Sequence, residues 1–246
     1  IGSASIYALS ALAYMAQTGA TAEDFAGIAA RNHQNARSNP KAHLPLDVSV
    51  ADVLASPMVS SPYRRLDCSP LSDGAACVVL ARPDALPKAG RGRATLAGTA
   101  VANDLVRLGD RPDVGHFRAK TTAAQRAYAQ AGCRPSDIGV AEVYDSFSGA
   151  QLQALDALGV VEDAVASERD GHFAADGALP VNLSGGLLGQ GAPVGATGVA
   201  QVLTTALQLE GRYEGLRPQT PPRFALVDTH GGVATLCAVS VLEAPR

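Results

Sequence analysis

The chain has 246 residues, 47% hydrophobic and 17% charged, with a formal net charge of −3. That length is enough for a full core, and the ordinary apolar fraction excludes a disordered chain. Basic residues neither exceed acidic ones nor cluster, and no stretch approaches ~18 apolar residues, so the sequence predicts neither nucleic-acid binding nor a membrane span.

Aromatics make up 4%, Trp is absent and Gly numbers 25, which predicts a core of Ala, Val and Leu with many tight turns. Ile1 opens the chain without a Met and without a signal-peptide pattern, so the start reads like the interior of a longer protein. Cys68, Cys77, Cys133 and Cys237 show no CxxC pair and no zinc spacing. Cys77 and Cys237 lie in apolar runs and read as buried thiols, which suits a reducing, cytoplasmic compartment.

Taken in chain order, Ile6 to Gln17 has helical spacing and Gly19 stops it. Thr21 and Asp24 form a capping-box pattern for a second helix to about Ala36, and Ser49 with Asp52 caps a short third. Gly74 to Ala81 reads as a buried strand. Pro83 to Gly92 reads as a linker. Beyond it, strands are predicted over 94–102, 138–144, 224–228 and 234–242. Helices are predicted over 121–131, 149–158 and 198–210. This order makes a layered α/β sheet with an antiparallel closing pair.

Three stretches carry chemistry. Asn182 to Gly198 holds six glycines in 17 positions before a helix. Such a loop lets the backbone approach an anion or a polarised carbonyl, although a purely structural turn explains the spacing equally well. Glu142 to Phe147 places Tyr144 and Asp145 at a strand's C-terminal end, where open α/β sheets put their chemistry. His230 sits in Asp228-Thr-His-Gly-Gly, between the closing strands. Ser184, Asp228 and His230 make a poor hydrolase set, because the Asp–His spacing does not suit a triad. His33, His43, His116 and His172 read as solvated, and no pair has the spacing of a metal site.

Together these stretches resemble the thiolase superfamily, in the sterol carrier protein X and lipid-transfer-protein branch. Asn39-Pro40, Ser56-Pro-Met-Val, Asp67-Cys-Ser-Pro-Leu-Ser-Asp-Gly-Ala-Ala76, Glu142–Phe147, Asn182–Gly198 and His230-Gly-Gly keep the family's motif order. The resemblance implies a thiolase fold of two βαβαβαββ halves. Residues 1–92 would be the helical loop domain and last strand of the first half, and 93–246 the complete second half. It places the nucleophilic Cys upstream of Ile1, so the chain should expose an unpaired sheet edge unless another segment covers it.

Two family His positions are replaced, one by Tyr144 and the "GHP" one by Ala192. An Ala takes no proton. Retro-aldol cleavage of a β-hydroxyacyl-CoA needs no acyl-enzyme, and the branch includes steroid side-chain aldolases with tyrosines at such positions. The resemblance thus implies a lyase in which Tyr144 is the base and His230 helps stabilise the enolate. Ser184, Gly185, Gly186, Gly191 and Ala192 would bind the CoA thioester, the substrate; no cofactor is implied. The alternatives are a thiolase with its Cys on the missing segment and a non-catalytic thiolase-like subunit. Implied partners are a second copy or a chain supplying the N-terminal part, and a DUF35-type OB-fold protein.

Overall fold

A computed structural model of the protein describes residues 2–85 and 93–245. The first part is helical. Helix α1 (Ser3–Thr18) ends at Gly19, whose φ of 74° is the left-handed stop that glycine supplies without strain. Helix α2 (Ala22–Ala36) and the short α3 (Val50–Ala55) begin with the predicted reciprocal caps, Thr21 with Asp24 and Ser49 with Asp52. A small antiparallel pair, β1 (Met58–Ser60) and β2 (Tyr63–Arg64), follows.

The second part is built on a four-stranded sheet. Its strands are β3 (Thr95–Asn103), β4 (Ile138–Glu142), β5 (Phe224–Gly231) and β6 (Leu236–Glu243), in the order β3-β6-β5-β4. The β4–β5 pair is parallel, and β5–β6 and β3–β6 are antiparallel. The remaining helices are α4 (Arg118–Ala131), α5 (Ser148–Leu158), α6 (Ala164–Arg169), α7 (Gly186–Gln190) and α8 (Thr197–Leu209). The closing hairpin is tighter than the sequence suggests. Strand β5 runs on to Gly231, past the predicted end at Asp228, and only 232–235 are left for the turn.

Helix α4 packs on β3 and β6 through an alanine stripe. A Cβ added at Gly98 on β3 would come within 2.9 Å of Ala131 N, so the helix rides directly on the strand. Helix α8 packs against β5, where Val140, Leu183, Leu209, Ala225, Val227 and Leu242 form a small apolar cluster. The main core joins α1, α2 and α5 to the α4 face of the sheet. The segments on either side of residue 92 therefore share one core, rich in Ala, Val and Leu as the composition predicts. Of the predicted linker, 86–92 lie outside the described residues.

Gly74 to Ala81 does not form the predicted buried strand. Among the described residues it has no neighbouring strand to pair with. Without that ladder its apolar side chains stay in solvent, with Val79 89% and Leu80 69% exposed. Cys77 is accordingly exposed, whereas Cys237 is buried on β6 as expected. His33 is also unlike its prediction. It is fully buried, with Nδ1 3.1 Å from Leu44 O and Nε2 3.4 Å from Leu66 O. No helix among the described residues is long and apolar enough to cross a membrane.

Candidate active site

Strand alternation sends Phe224, Leu226, Asp228 and His230 of β5 toward the face that α4 covers. There Lys120 meets them. Lys120 and Asp228 are both fully buried and form an ion pair through Asp228 Oδ2. Lys120 Nζ also lies 3.1 Å from His230 Nδ1. The backbone N–H of Tyr144 donates to the same Asp228 oxygen at 3.3 Å, which ties the loop after β4 to β5. That competing bond accompanies the end of β4 at Glu142, short of the predicted Tyr144. The Tyr144 ring then tilts over His230, with centroids 4.5 Å apart.

Tyr7, from α1, also meets the imidazole. Its Oη is 2.7 Å from His230 Nε2, and it donates to Gly232 O at 2.5 Å. Neither Tyr7 nor Lys120 stands out in a motif scan. The signal was present in the helical spacing. Lys120 shares the apolar stripe of Ala123, Ala124 and Ala127, and Tyr7 shares that of Ala11 and Tyr14.

Tyr7, Tyr144, His230 and Ala192 line one cavity of about 910 Å³, with Ser146 and Thr229 also in its wall. Apolar residues such as Leu71, Leu96, Val194 and Val199 form much of the remainder. The structure thus brings Tyr144, His230 and Ala192 together as expected. Ser184, Gly185 and Gly186 are buried and lie outside that cavity's lining. Ser184 Oγ donates to Glu142 Oε2 at 2.5 Å, and Gln208 donates to Glu142 Oε1 at 2.9 Å. Glu142 is therefore a clasp between the glycine loop and α8, and the Ser184, Asp228 and His230 set is not assembled. Gly185 packs on α2, where an added Cβ would come within 2.8 Å of Ala36 Cα. Gly191 lines a second cavity of about 490 Å³, close to Ser72.

The glycine loop does receive an acceptor, and the acceptor is an internal carboxyl group. Leu187 N donates to Asp145 Oδ1 at 2.6 Å and Asn32 Nδ2 donates to Asp145 Oδ2 at 2.7 Å. The other loop amides are engaged too. Gly186 N goes to Ser184 Oγ at 3.1 Å, and Ala192 N to Ser72 Oγ at 3.0 Å. The sequence leads one to expect these amides to face a bound anion or polarised carbonyl. Their hydrogen bonds are already used by the fold.

The charge states are set mainly by burial. Desolvation pushes Asp145 up to about 8 against its hydrogen-bond donors, and raises Glu142 in the same direction. Because folded Asp145 holds its proton more tightly than the unfolded chain, stability should fall as pH rises from about 4 toward 8. Asp145→Asn is expected to flatten that slope, read as urea midpoints at the two ends of the window. Tyr144 is pushed up by burial and then by the Asp145 and Asp228 carboxylates. His230 is pushed well down by burial and then by the Lys120 and Arg111 cations. The cavity wall thus presents neutral phenols and a neutral imidazole.

A layered α/β half closed by an antiparallel hairpin, with its chemistry at the C-terminal end of β4 and on β5, is a thiolase-type arrangement. Residues 100–244 match the family model described as thiolase C-terminal domain-like, and the chain belongs to that family. The chain is 38% identical over 241 residues to an acetyl-CoA acetyltransferase of Methanothermobacter thermautotrophicus, covering 97% of this chain and 63% of the relative. It is 32% identical over 229 residues to the benzoylsuccinyl-CoA thiolase subunit BbsB of Thauera aromatica, covering 92% and 59%. Among solved structures, the Ltp2-ChsH2(DUF35) aldolase superposes with a TM-score of 0.86 at 28% identity, over 100% of this chain and 64% of that one. The chain spans about three-fifths of the length of these relatives.

Proposed function

We propose that the chain is part of a thiolase-type lyase that cleaves a β-hydroxyacyl-CoA by retro-aldol chemistry. The observation that carries this reading is the Tyr144 phenol. It lines the cavity beside His230, and its hydroxyl makes no hydrogen bond to any described residue. The Tyr7 hydroxyl in the same wall is engaged.

Burial keeps Tyr144 protonated, so it works as a shuttle and not as a phenolate. The substrate hydroxyl gives its proton to the Tyr144 oxygen as the Cα–Cβ bond breaks. Tyr144 passes its own proton to the α-carbon, leaving a carbonyl product, an acyl-CoA and an unchanged phenol. The Tyr7 and His230 hydrogens are bonded within the protein, so this wall holds the Tyr144 ring in place and does not donate to the thioester. Ala192 takes no part in proton transfer. Turnover of a β-hydroxyacyl-CoA in D2O is expected to give the carbonyl compound and an acyl-CoA with one deuterium at the α-carbon.

The acetyl-CoA acetyltransferase relative favours a second reading, acyl transfer through a cysteine on a separate segment. Cys68, next to the cavity residue Ser69, is pushed up to about 11 by burial and then by Asp67, which is the opposite of an activated thiol. A covalent acyl adduct on intact-mass analysis would decide for that second reading. The likeness to the Ltp2-ChsH2(DUF35) aldolase supports a DUF35-type partner for this chain. The exposed run from Leu71 to Leu80 is the surface that a chain or segment carrying the rest of the fold would cover.

A further inference from the structure

Lys120 is a fully buried cation, and neither the motifs nor the proton shuttle accounts for it. An ammonium has hydrogens to give and no lone pair. Of its contacts, Asp228 Oδ2 takes one hydrogen, and the contact with His230 Nδ1 at 3.1 Å is made with that nitrogen accepting. A neutral imidazole whose Nδ1 accepts carries its hydrogen on Nε2. Nε2 therefore donates to Tyr7 Oη, 2.7 Å away, and Tyr7 passes its own hydrogen to Gly232 O at 2.5 Å. The chain of donors runs in one direction, from Lys120 through His230 and Tyr7 to the backbone.

We propose that Lys120 is a positioning residue that holds His230 permanently as an Nε2–H donor to Tyr7, so that His230 fixes the Tyr7 side of the cavity wall and never acts as a base. Asp228 neutralises Lys120 and keeps it in place. The groups facing His230 are Lys120 from α4, Tyr7 from α1, Tyr144 after β4, and Asp228 on its own strand. Cys237 lies opposite on β6, and Arg111 adds a second cation from the loop before α4. Of these, Asp228 is the one buried carboxylate near the ring, and Lys120 shields the imidazole from it. Without Lys120, Asp228 would draw a proton onto His230.

The proposal deepens the lyase reading, because it fixes what His230 contributes there. It also excludes the Cys–His pairing in which His230 would be the base.

The test is a long-range proton–nitrogen spectrum of the full chain with labelled histidine, recorded from pH 5 to 8.5. Five histidines make assignment by His230→Gln practical. In the wild type His230 should show the Nε2–H tautomer and no titration across that range. Lys120→Met should move its titration upward by at least one pH unit and bring a cationic form into the window. Lys120→Arg, which keeps a charged donor, should restore the wild-type pattern. An Nδ1–H tautomer in the wild type, or a titration there within the range, would overturn the proposal even if Lys120→Met failed to fold. Nε2–H without any β-hydroxyacyl-CoA cleavage upholds the tautomer while the lyase reading fails. Cleavage with Nδ1–H overturns the tautomer alone.

Discussion

Replacing Tyr144 with phenylalanine is expected to lower turnover of a β-hydroxyacyl-CoA by about 100-fold or more, the usual scale for a proton-transfer group. The substitution removes one oxygen. That oxygen makes no hydrogen bond to a described residue, so the fold loses no internal contact with it. The ring, tilted over His230, is kept. Binding should therefore persist, and the loss should appear in kcat with KM little changed. The pH profile adds an independent reading of the charge state. A phenol raised by burial and by two carboxylates works protonated, so wild-type activity should stay level through neutral pH and fall only as the phenol ionises. A rate that climbs tenfold per pH unit through neutrality would mean a phenolate base. Unchanged turnover in Tyr144→Phe would remove Tyr144 from the mechanism altogether.

The second large effect is expected on stability. Gly186→Val should destabilise the chain by about 3 kcal/mol, the scale of a strained backbone combined with a buried clash. Gly186 has φ of +58°, a region where a β-branched residue is strained. Its added Cβ would also come within 2.7 Å of Asp145 Cγ. Asp145 cannot easily retreat, because Leu187 N and Asn32 Nδ2 hold both carboxylate oxygens. Denaturant melts of Gly186→Val against the wild type measure this directly. A variant as stable as the wild type that failed only to bind acyl-CoA would restore the ligand-contact role that the sequence suggests for this glycine.

What was legible in the sequence follows the range of the interactions. The caps Thr21 with Asp24 and Ser49 with Asp52 act across three residues, and the stops Gly19, Gly132 and Gly159 act across one turn, so local pattern reveals them. Tyr144, His230 and Ala192 could be singled out from motif order, and they line one cavity from the loop after β4, from β5 and from the glycine loop. Gly74 to Ala81 misleads because a strand is defined by its partner, and an apolar run does not show whether one stands beside it. The glycine loop misleads in a different way. Its composition suggests a bound anion or carbonyl, but the group its Leu187 amide meets is the Asp145 carboxyl, 42 residues before Leu187. Lys120 was readable as a charge on an apolar stripe, yet only the register of β5 shows what it meets there.

The bond between Tyr7 and His230 joins residues separated by 223 positions. That separation makes this wall of the cavity one of the last things the chain can complete during folding. The helices and the α4–β3 packing are local or nearly so, whereas closing so long a loop is entropically costly and slow. Helix α1 gains its Tyr7 anchor only when the β5–β6 hairpin brings His230 to it. The same connection means that a nick or fraying in the β5–β6 hairpin reaches α1 directly. Order in the cavity and docking of the first helix are thus one cooperative event.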